Sequence, residues 1–289
     1  MPFLTRTLLP AVVVAVAALA PPTVAQAKTQ LTFGVYSSDK PSAMVQQLRP
    51  TLDQIERSLA ANLGEEVEIK LEVVRGYKAG AEMLLAGQAD VMRLGPASYV
   101  KVKGIQDGLE LLAMENKRGA NTFEGVIAVH QDSDITEIGQ LRGRTFAFGS
   151  ERSTLGRYFA QLELTRAGIL ASDLESFEYL GRHDKVGQAV GAELFDAGAL
   201  EGTMFKKLQA KGLPIRAIHT MRNATKAWVA RDGLDPRVKA GLRRALLDMH
   251  DKEALTALRF DGFLPGSDAD YDPTREAINR NAEFFESGS

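Results

Sequence analysis

The 289-residue chain contains no cysteine. That one absence excludes a disulfide framework, a thiolate metal site and a cysteine nucleophile, and with them a lipid anchor built on a cysteine at a cleavage point. Histidine is scarce. His130, His183, His219 and His250 are scattered without the spacing of metal ligands. Charge of one sign is not in excess either: the formal net charge is −2, so no general basic surface exists for nucleic acid or an anionic membrane. The sequence lacks Gly-x-x-x-x-Gly-Lys-Ser/Thr, His-Glu-x-x-His, Gly-x-Ser-x-Gly and Gly-x-Gly-x-x-Gly. Carboxylates are many, yet no pair stands out for acid–base work. No catalytic residue, metal or cofactor is expected.

The chain has a single long apolar run, Leu8 to Ala20, too short for a comfortable membrane span. Arg6 precedes it and Ala25-Gln26-Ala27 follows, a small-x-small cleavage pattern. Residues 1–27 are therefore expected to be a signal peptide and Lys28 the mature start. An exported, unanchored, disulfide-free chain of this size points to a bacterial periplasm.

Beyond the leader, 45% hydrophobic and 25% charged residues are ordinary for a globular protein, and the length allows two lobes. Leu31 to Tyr36 reads as a strand. Met44, Leu48, Leu52, Ile55 and Leu59 recur at helical spacing, with Gly64 as the stop. Val67 to Val74 alternates as a second strand, and a helix over Ala79 to Leu85 runs into Asp90-Val91-Met92. Strand–helix–strand alternation of this kind builds a parallel or mixed sheet. Phe123 to Val129 is a further strand, and a second alternation follows it. Strands near Ile215–His219 and Ala227–Ala230 and helices from Asp235 onward complete the chain. Crossings between lobes are expected near Val126–Gln131 and Thr220–Arg231.

Residues 145–157 carry the most chemistry. Thr145-Phe146-Ala147-Phe148 reads as a strand, Gly149-Ser150 as a turn, and Ser153-Thr154 as the first turn of a helix marked by Leu155, Tyr158, Phe159 and Leu162. A helix start leaves backbone N–H groups unpaired and favours negative charge, and two hydroxyls there add donors for an oxyanion. Ser153 or Thr154 serving only as a helix cap is the plainer alternative.

Three other turns have the same character. His183 follows a strand-like aromatic run, beside Arg182, at the start of the next helix. Tyr99 lies in Leu94-Gly95-Pro96-Ala97-Ser98-Tyr99, and Tyr77 in Arg75-Gly76-Tyr77. Each residue alone has an ordinary packing role open to it. Four strand-to-helix turns bearing donors are what makes a ligand edge.

In order and spacing these segments resemble the phosphate/phosphonate-type periplasmic substrate-binding proteins of ABC transporters. The markers are Tyr77 with Leu84…Gly87…Asp90-Val91, Leu94 to Tyr99, and Ile138…Leu141-Arg142-Gly143. Ser153-Thr154-Leu155-Gly156, Gly181-Arg182-His183-Asp184 and Asp196-Ala197-Gly198-Ala199 complete the set. The resemblance implies an α/β, two-lobed Venus flytrap of type II-like form with a mixed sheet in each lobe. Residues 28–128 would start lobe I, 129–227 form lobe II, and 228–289 return to lobe I with the C-terminal helices. Ser153 and Thr154 would hold the oxyanion, His183 would donate to it, and Tyr77 and Tyr99 would contact it from the other lobe. Asp196 would face the cleft. Where the family commonly carries a third hydroxyl, this chain has Leu155, and Arg152 and Arg157 are placed to compensate. The implied partners are a small anionic ligand and an ABC permease in the inner membrane, or a sensor kinase in a signalling variant. The chain is expected to be a monomer. A periplasmic hydrolase using His183 as base is the enzymatic alternative.

Overall fold

The computed structural model describes residues 28–37, 41–258 and 260–286; the leader expected over residues 1–27 lies outside them. The alternation at Leu31, Phe33 and Val35 forms β1 (Lys28–Ser37), with all three side chains buried. On the same core α1 (Pro41–Leu63) lays Leu48, Leu52, Ile55 and Leu59. Gly64 ends that helix with a left-handed φ of 72°, donating its N–H to the Ala60 carbonyl, the conformation a glycine adopts without steric cost. Then come β2 (Glu66–Arg75), α2 (Gly76–Leu85), β3 (Val91–Leu94), α3 (Pro96–Ile105) and β4 (Glu110–Glu115).

The second group of elements is β5 (Thr122–His130), β6 (Thr145–Phe148), a π-helical segment Thr154–Phe159 running into α4 (Ala160–Arg166), and β7 (Ser176–Tyr179). It continues with α5 (His183–Gly191), β8 (Ala197–Glu201), α6 (Gly202–Gln209) and β9 (Ile215–Ala224). The chain returns through β10 (Ala227–Ala230), α7 (Pro236–Leu247), α8 (Lys252–Leu258) and β11 (Phe263–Leu264), and ends in α9 (Asp272–Asn279) and a 3₁₀ segment Arg280–Phe285.

Two sheets result. One has the order β11-β4-β10-β3-β1-β2, the other β7-β6-β8-β5-β9. Both are mixed: β1 runs parallel to β2 and β3 while β10 is antiparallel to β3 and β4, and β6 runs parallel to β7 and β8 while β5 is antiparallel to β8 and β9. This is the two-lobed α/β architecture expected. Trp228, fully buried, anchors the first lobe, its ring 4.7 Å from Phe33 and 4.9 Å from Phe263.

The lobe boundaries differ from the sequence reading. The whole of β5 belongs to the second sheet, so the first crossing falls at residues 116–121, ahead of the expected Val126–Gln131. The return crossing is the short link Thr225–Lys226. A third crossing, unanticipated, lies between β11 and α9. The three are laced together: Thr225 N–H donates to Asn121 O at 2.8 Å, Tyr271 Oη to Thr225 O at 3.2 Å, and Asn121 Nδ2 to Asp270 Oδ1 at 3.0 Å.

The C-terminal helices also require correction. Expected with lobe I, α9 and Arg280–Phe285 pack on lobe II, where Ala277 and Phe284 join the core of Phe146, Phe148 and Leu164. The Phe284 ring meets Phe148 edge-on at 5.8 Å and Phe177 at 6.0 Å. Full burial of one such aromatic is worth about 1.5–3 kcal/mol, so lobe II gains by holding the tail. Helical periodicity identifies an apolar face but not the surface that covers it.

Candidate functional site

The carboxyl ends of most strands in both sheets face a common cleft, the edge at which open α/β sheets present ligands. Its cavity is about 390 Å³ and is lined from lobe I by Tyr36, Tyr77, Gly95, Pro96 and Glu115, with Lys117 at the first crossing. Lobe II contributes Phe123, Ser153, Thr154, Leu155, His183, Glu201, Thr203 and Asn223, with Lys226 at the crossing.

The wall from lobe II is built by two adjoining turns. After β6 the chain turns at Gly149, and Ser153 caps the following segment, its Oγ accepting the Gly156 N–H at 3.0 Å. The cap role and a place on the cleft therefore coincide in one residue. Gly149 donates to Gly156 O at 2.7 Å, and a Cβ on Gly156 would lie 2.9 Å from Gly149 Cα and 3.1 Å from His183 Cε1. Only glycine permits that approach, which seats the imidazole against the helix start. His183 Nδ1 is buried and has no hydrogen-bond partner. Burial pushes the imidazole below its ordinary pKa, against the opposing pull of Glu201 and Asp184, so the ring is neutral near pH 7. A neutral ring offers Nδ1 as donor in one tautomer and acceptor in the other.

Thr154 is 8% exposed, and its Oγ1 accepts the Ala97 N–H at 3.0 Å. That donor belongs to the first turn of α3, in the other lobe. Lys101 of α3 likewise donates to the Tyr158 hydroxyl. Leu155 is buried and fills the space over Gly125, where a Cβ would come within 2.8 Å of it. At the position where the resemblance implies a hydroxyl, Leu155 thus packs over Gly125 and lends the cavity an apolar edge.

From lobe I, Tyr77 stands with its hydroxyl beside Ser153, and burial raises its pKa. Its ring packs tilted against Tyr36, centroids 4.7 Å apart. Tyr36 Oη accepts the Gly95 N–H at 2.7 Å and donates to Ser98 Oγ at 3.2 Å, which fixes the start of α3. Behind them Arg93 and Glu115 form a buried ion pair, and Trp228 Nε1 adds a hydrogen bond to Glu115 at 3.3 Å. Burial pushes the Glu115 carboxyl up, but Arg93 and Lys226 outweigh it and hold it below the usual carboxylate range.

Ser153, Thr154, His183 and Tyr77 thus come together on the cavity; two other expected residues do not. Tyr99 is 1% exposed, its ring 4.4 Å from Tyr271 and its hydroxyl facing Asp268. It packs under the C-terminal crossing, a surface no local pattern announced. Asp196 sits at the amino end of β8, accepting from Thr145 N and Oγ1 at 2.8 Å each. The cleft lies at the opposite end of that five-residue strand, about 16 Å away at roughly 3.3 Å per residue. The arginines expected to help are also elsewhere. Arg182 pairs with Asp184 at 2.6 Å, Arg157 reaches Glu151 O and Asn281, and Arg152 is exposed.

Tyr36, Asn223, Glu201 and Lys226 were missed. Tyr36 ends a strand before a polar turn, the same signal that singled out Tyr77. Glu201 ends β8 and caps α6 by accepting the Met204 N–H at 3.1 Å. Asn223 and Lys226 flank a crossing whose position only the sheet pairing reveals.

Comparison with known proteins bears on this geometry. The probable ABC transporter phosphite binding protein PhnD1 of Prochlorococcus marinus is 25% identical over 242 residues, covering 75% of this chain and 80% of that protein. Among solved structures, XAC2383 from Xanthomonas citri bound to chloride superposes with a TM-score of 0.75 at 24% identity, covering 88% of this chain and 99% of that one. PhnD1 from Prochlorococcus marinus in complex with methylphosphonate gives 0.72 at 19% identity, with coverage of 88% and 99%. Both share the two-lobed fold. The family described as "ABC transporter, phosphonate, periplasmic substrate-binding protein" matches residues 33–271, from the first strand to the third crossing. The cleft between two mixed sheets is accordingly that of a phosphonate-type periplasmic substrate-binding protein of an ABC transporter, the family to which this chain belongs.

Proposed function

We propose that the cleft captures a phosphonate-type oxyanion and presents it to an ABC permease without chemical change. The phosphonyl oxygens are held by the N–H groups and hydroxyls at the start of Thr154–Phe159 and by His183, with Tyr77 and Tyr36 closing from lobe I. The observation that carries this reading is the buried, unpartnered Nδ1 of His183 on the same cavity as the capped helix start. A buried polar atom with no partner costs free energy, and an anion or its proton supplies one. Burial of the guest excludes water and strengthens each charge-assisted hydrogen bond. The leader is removed on export, and the chain acts as a monomer.

Isothermal titration of the purified protein with methylphosphonate, ethylphosphonate, phosphite, phosphate and sulfate tests the reading. At least one phosphorus oxyanion binds, and His183→Ala weakens it by about tenfold or more, the loss of one hydrogen bond to a charged group. Binding unaffected by His183→Ala places the anion elsewhere. Turnover of a phosphoester that His183→Ala abolishes overturns the non-catalytic reading.

A further inference from the structure

The cleft is not electrostatically closed where β9 crosses to β10. Lys226 lies at the return crossing, half-buried, and its ammonium makes no salt bridge or side-chain hydrogen bond among the described residues. The two carboxylates nearest it are otherwise engaged. Glu115 is bound by Arg93 and by Trp228 Nε1, and Glu201 accepts the Met204 N–H. Lys117 lines the same cavity with its ammonium 4.8 Å from the Phe123 ring centroid. Counted together, Arg93, Lys117 and Lys226 face Glu115 and Glu201, three cations against two carboxylates. A further donor lines the same cavity. Asn223 is 2% exposed, its Oδ1 accepts from Thr274 Oγ1 at 3.3 Å, and its Nδ2 is buried without a partner.

An unpaired ammonium and an unsatisfied amide donor on one cavity are costly in isolation and call for an acceptor. A carboxylate supplies acceptors only, with two oxygens able to serve both donors. Size agrees: at about 390 Å³ the cavity is larger than a bare inorganic oxyanion fills. The charge state agrees too. Repulsion by Arg93, then burial, lowers the Lys226 pKa to about 8, so the ammonium is still the main form near pH 7 but is held against an electrostatic cost that an anion relieves.

The geometry points to a second anion subsite formed by Lys226, Asn223 and Lys117, and to a ligand that is an organophosphonate carrying a carboxylate at its far end. The inference rests on the phosphonyl group occupying the helix start, as proposed above. Glu201 on the same cavity is the one feature that would instead attract an amine, and the test is built to expose that outcome.

Titration calorimetry at neutral pH compares ethylphosphonate, phosphonopropionate and aminoethylphosphonate on the wild type, Lys226→Met and Lys226→Arg. Phosphonopropionate binds the wild type about tenfold or more tighter than ethylphosphonate, a gain of the size close charge pairs provide. The gain, read as the ratio of phosphonopropionate to ethylphosphonate affinity in each protein, falls below about twofold in Lys226→Met and is largely kept in Lys226→Arg. The inference is overturned by aminoethylphosphonate binding more tightly than phosphonopropionate, or by a carboxylate gain that survives Lys226→Met, an equal loss of both ligands in that variant included. Ethylphosphonate binding with no carboxylate gain defeats the second subsite alone. Failure of every phosphonate to bind defeats the reading of the helix start as well. Lys226→Gln, which removes the charge but keeps a polar side chain and loses the gain in the same way, keeps the test decisive if Lys226→Met does not fold.

Discussion

Thr154 Oγ1 accepts the backbone N–H of Ala97 at 3.0 Å, joining the start of one helix in lobe II to the start of another in lobe I. Each helix start has orphan donors, and here one lobe's hydroxyl satisfies the other lobe's amide. The bond exists only with the lobes together, so it couples closure to the site itself. Thr154→Val removes the acceptor at nearly constant volume. Ligand affinity falls by about 1 kcal/mol, roughly fivefold, with the unfolding midpoint of the ligand-free protein little changed. Thr154→Ser restores it. Calorimetry with the tightest phosphonate checks both, and equal affinity in Thr154→Val would show that closure does not use the bond.

Asp196 and Tyr99 separate structure from binding. Asp196→Asn and Tyr99→Phe leave affinity within about twofold, since neither lines the cavity. Asp196→Ala strips two acceptor contacts from the start of β6 and lowers stability by about 1–3 kcal/mol. Urea denaturation reads the second effect and titration the first. A tenfold loss of affinity in Tyr99→Phe is the result that would return this residue to the site.

Gly156→Ala forces the turn apart. The added Cβ meets Gly149 Cα, which is backbone and cannot swing away, and it meets the His183 ring next. Overpacking of this kind costs about 1–3 kcal/mol. Affinity falls along with stability because the imidazole is displaced from the helix start. Thermal unfolding and titration of the same variant measure the two, and loss of stability without loss of affinity would detach His183 from the ligand.

The pH dependence of ligand-free stability carries a signature of His183. Its pKa is lowered in the folded state by burial, while the unfolded chain has the ordinary value near 6.5. Below about 6.5 the unfolded state therefore binds the extra proton, and stability is lost as pH falls through that value toward the folded pKa. Above it the contribution is complete. His183→Gln removes this proton uptake, so the difference in unfolding free energy between wild type and variant shrinks as pH drops from 7.5 to 5. Denaturant titrations at several pH values give the difference directly, and a difference that stays constant would mean a normally titrating ring.

Much of the fold is local and was therefore readable. The period-two run at Leu31, Phe33 and Val35 and the helical run from Leu48 to Leu59 each state which face is buried, and both are buried as written. The rule that strand-to-helix turns collect at one sheet edge brought Ser153, Thr154, His183 and Tyr77 to a common cavity. Asp196 came from the family resemblance and not from that rule, and it precedes its strand rather than following it. That error was avoidable, because Asp196-Ala197 marks the amino end of β8. Tyr99 was a different failure. It satisfies the turn rule, and only the third crossing, bringing Tyr271 against it, turns it into a core residue.

The amino-acid order alone settled the alternation of strands and helices, the glycine stop at Gly64, and the donors at the start of Thr154–Phe159, because each depends on neighbours a few residues away. Tertiary structure decided that the tail folds onto lobe II, that Thr154 answers Ala97 across the cleft, and that Lys226 and Asn223 line the cavity that Ser153 and His183 line. Those facts depend on residues from 3 to more than 100 positions apart, whose proximity is fixed by sheet pairing and by the burial of shared apolar surface, and no local periodicity records either.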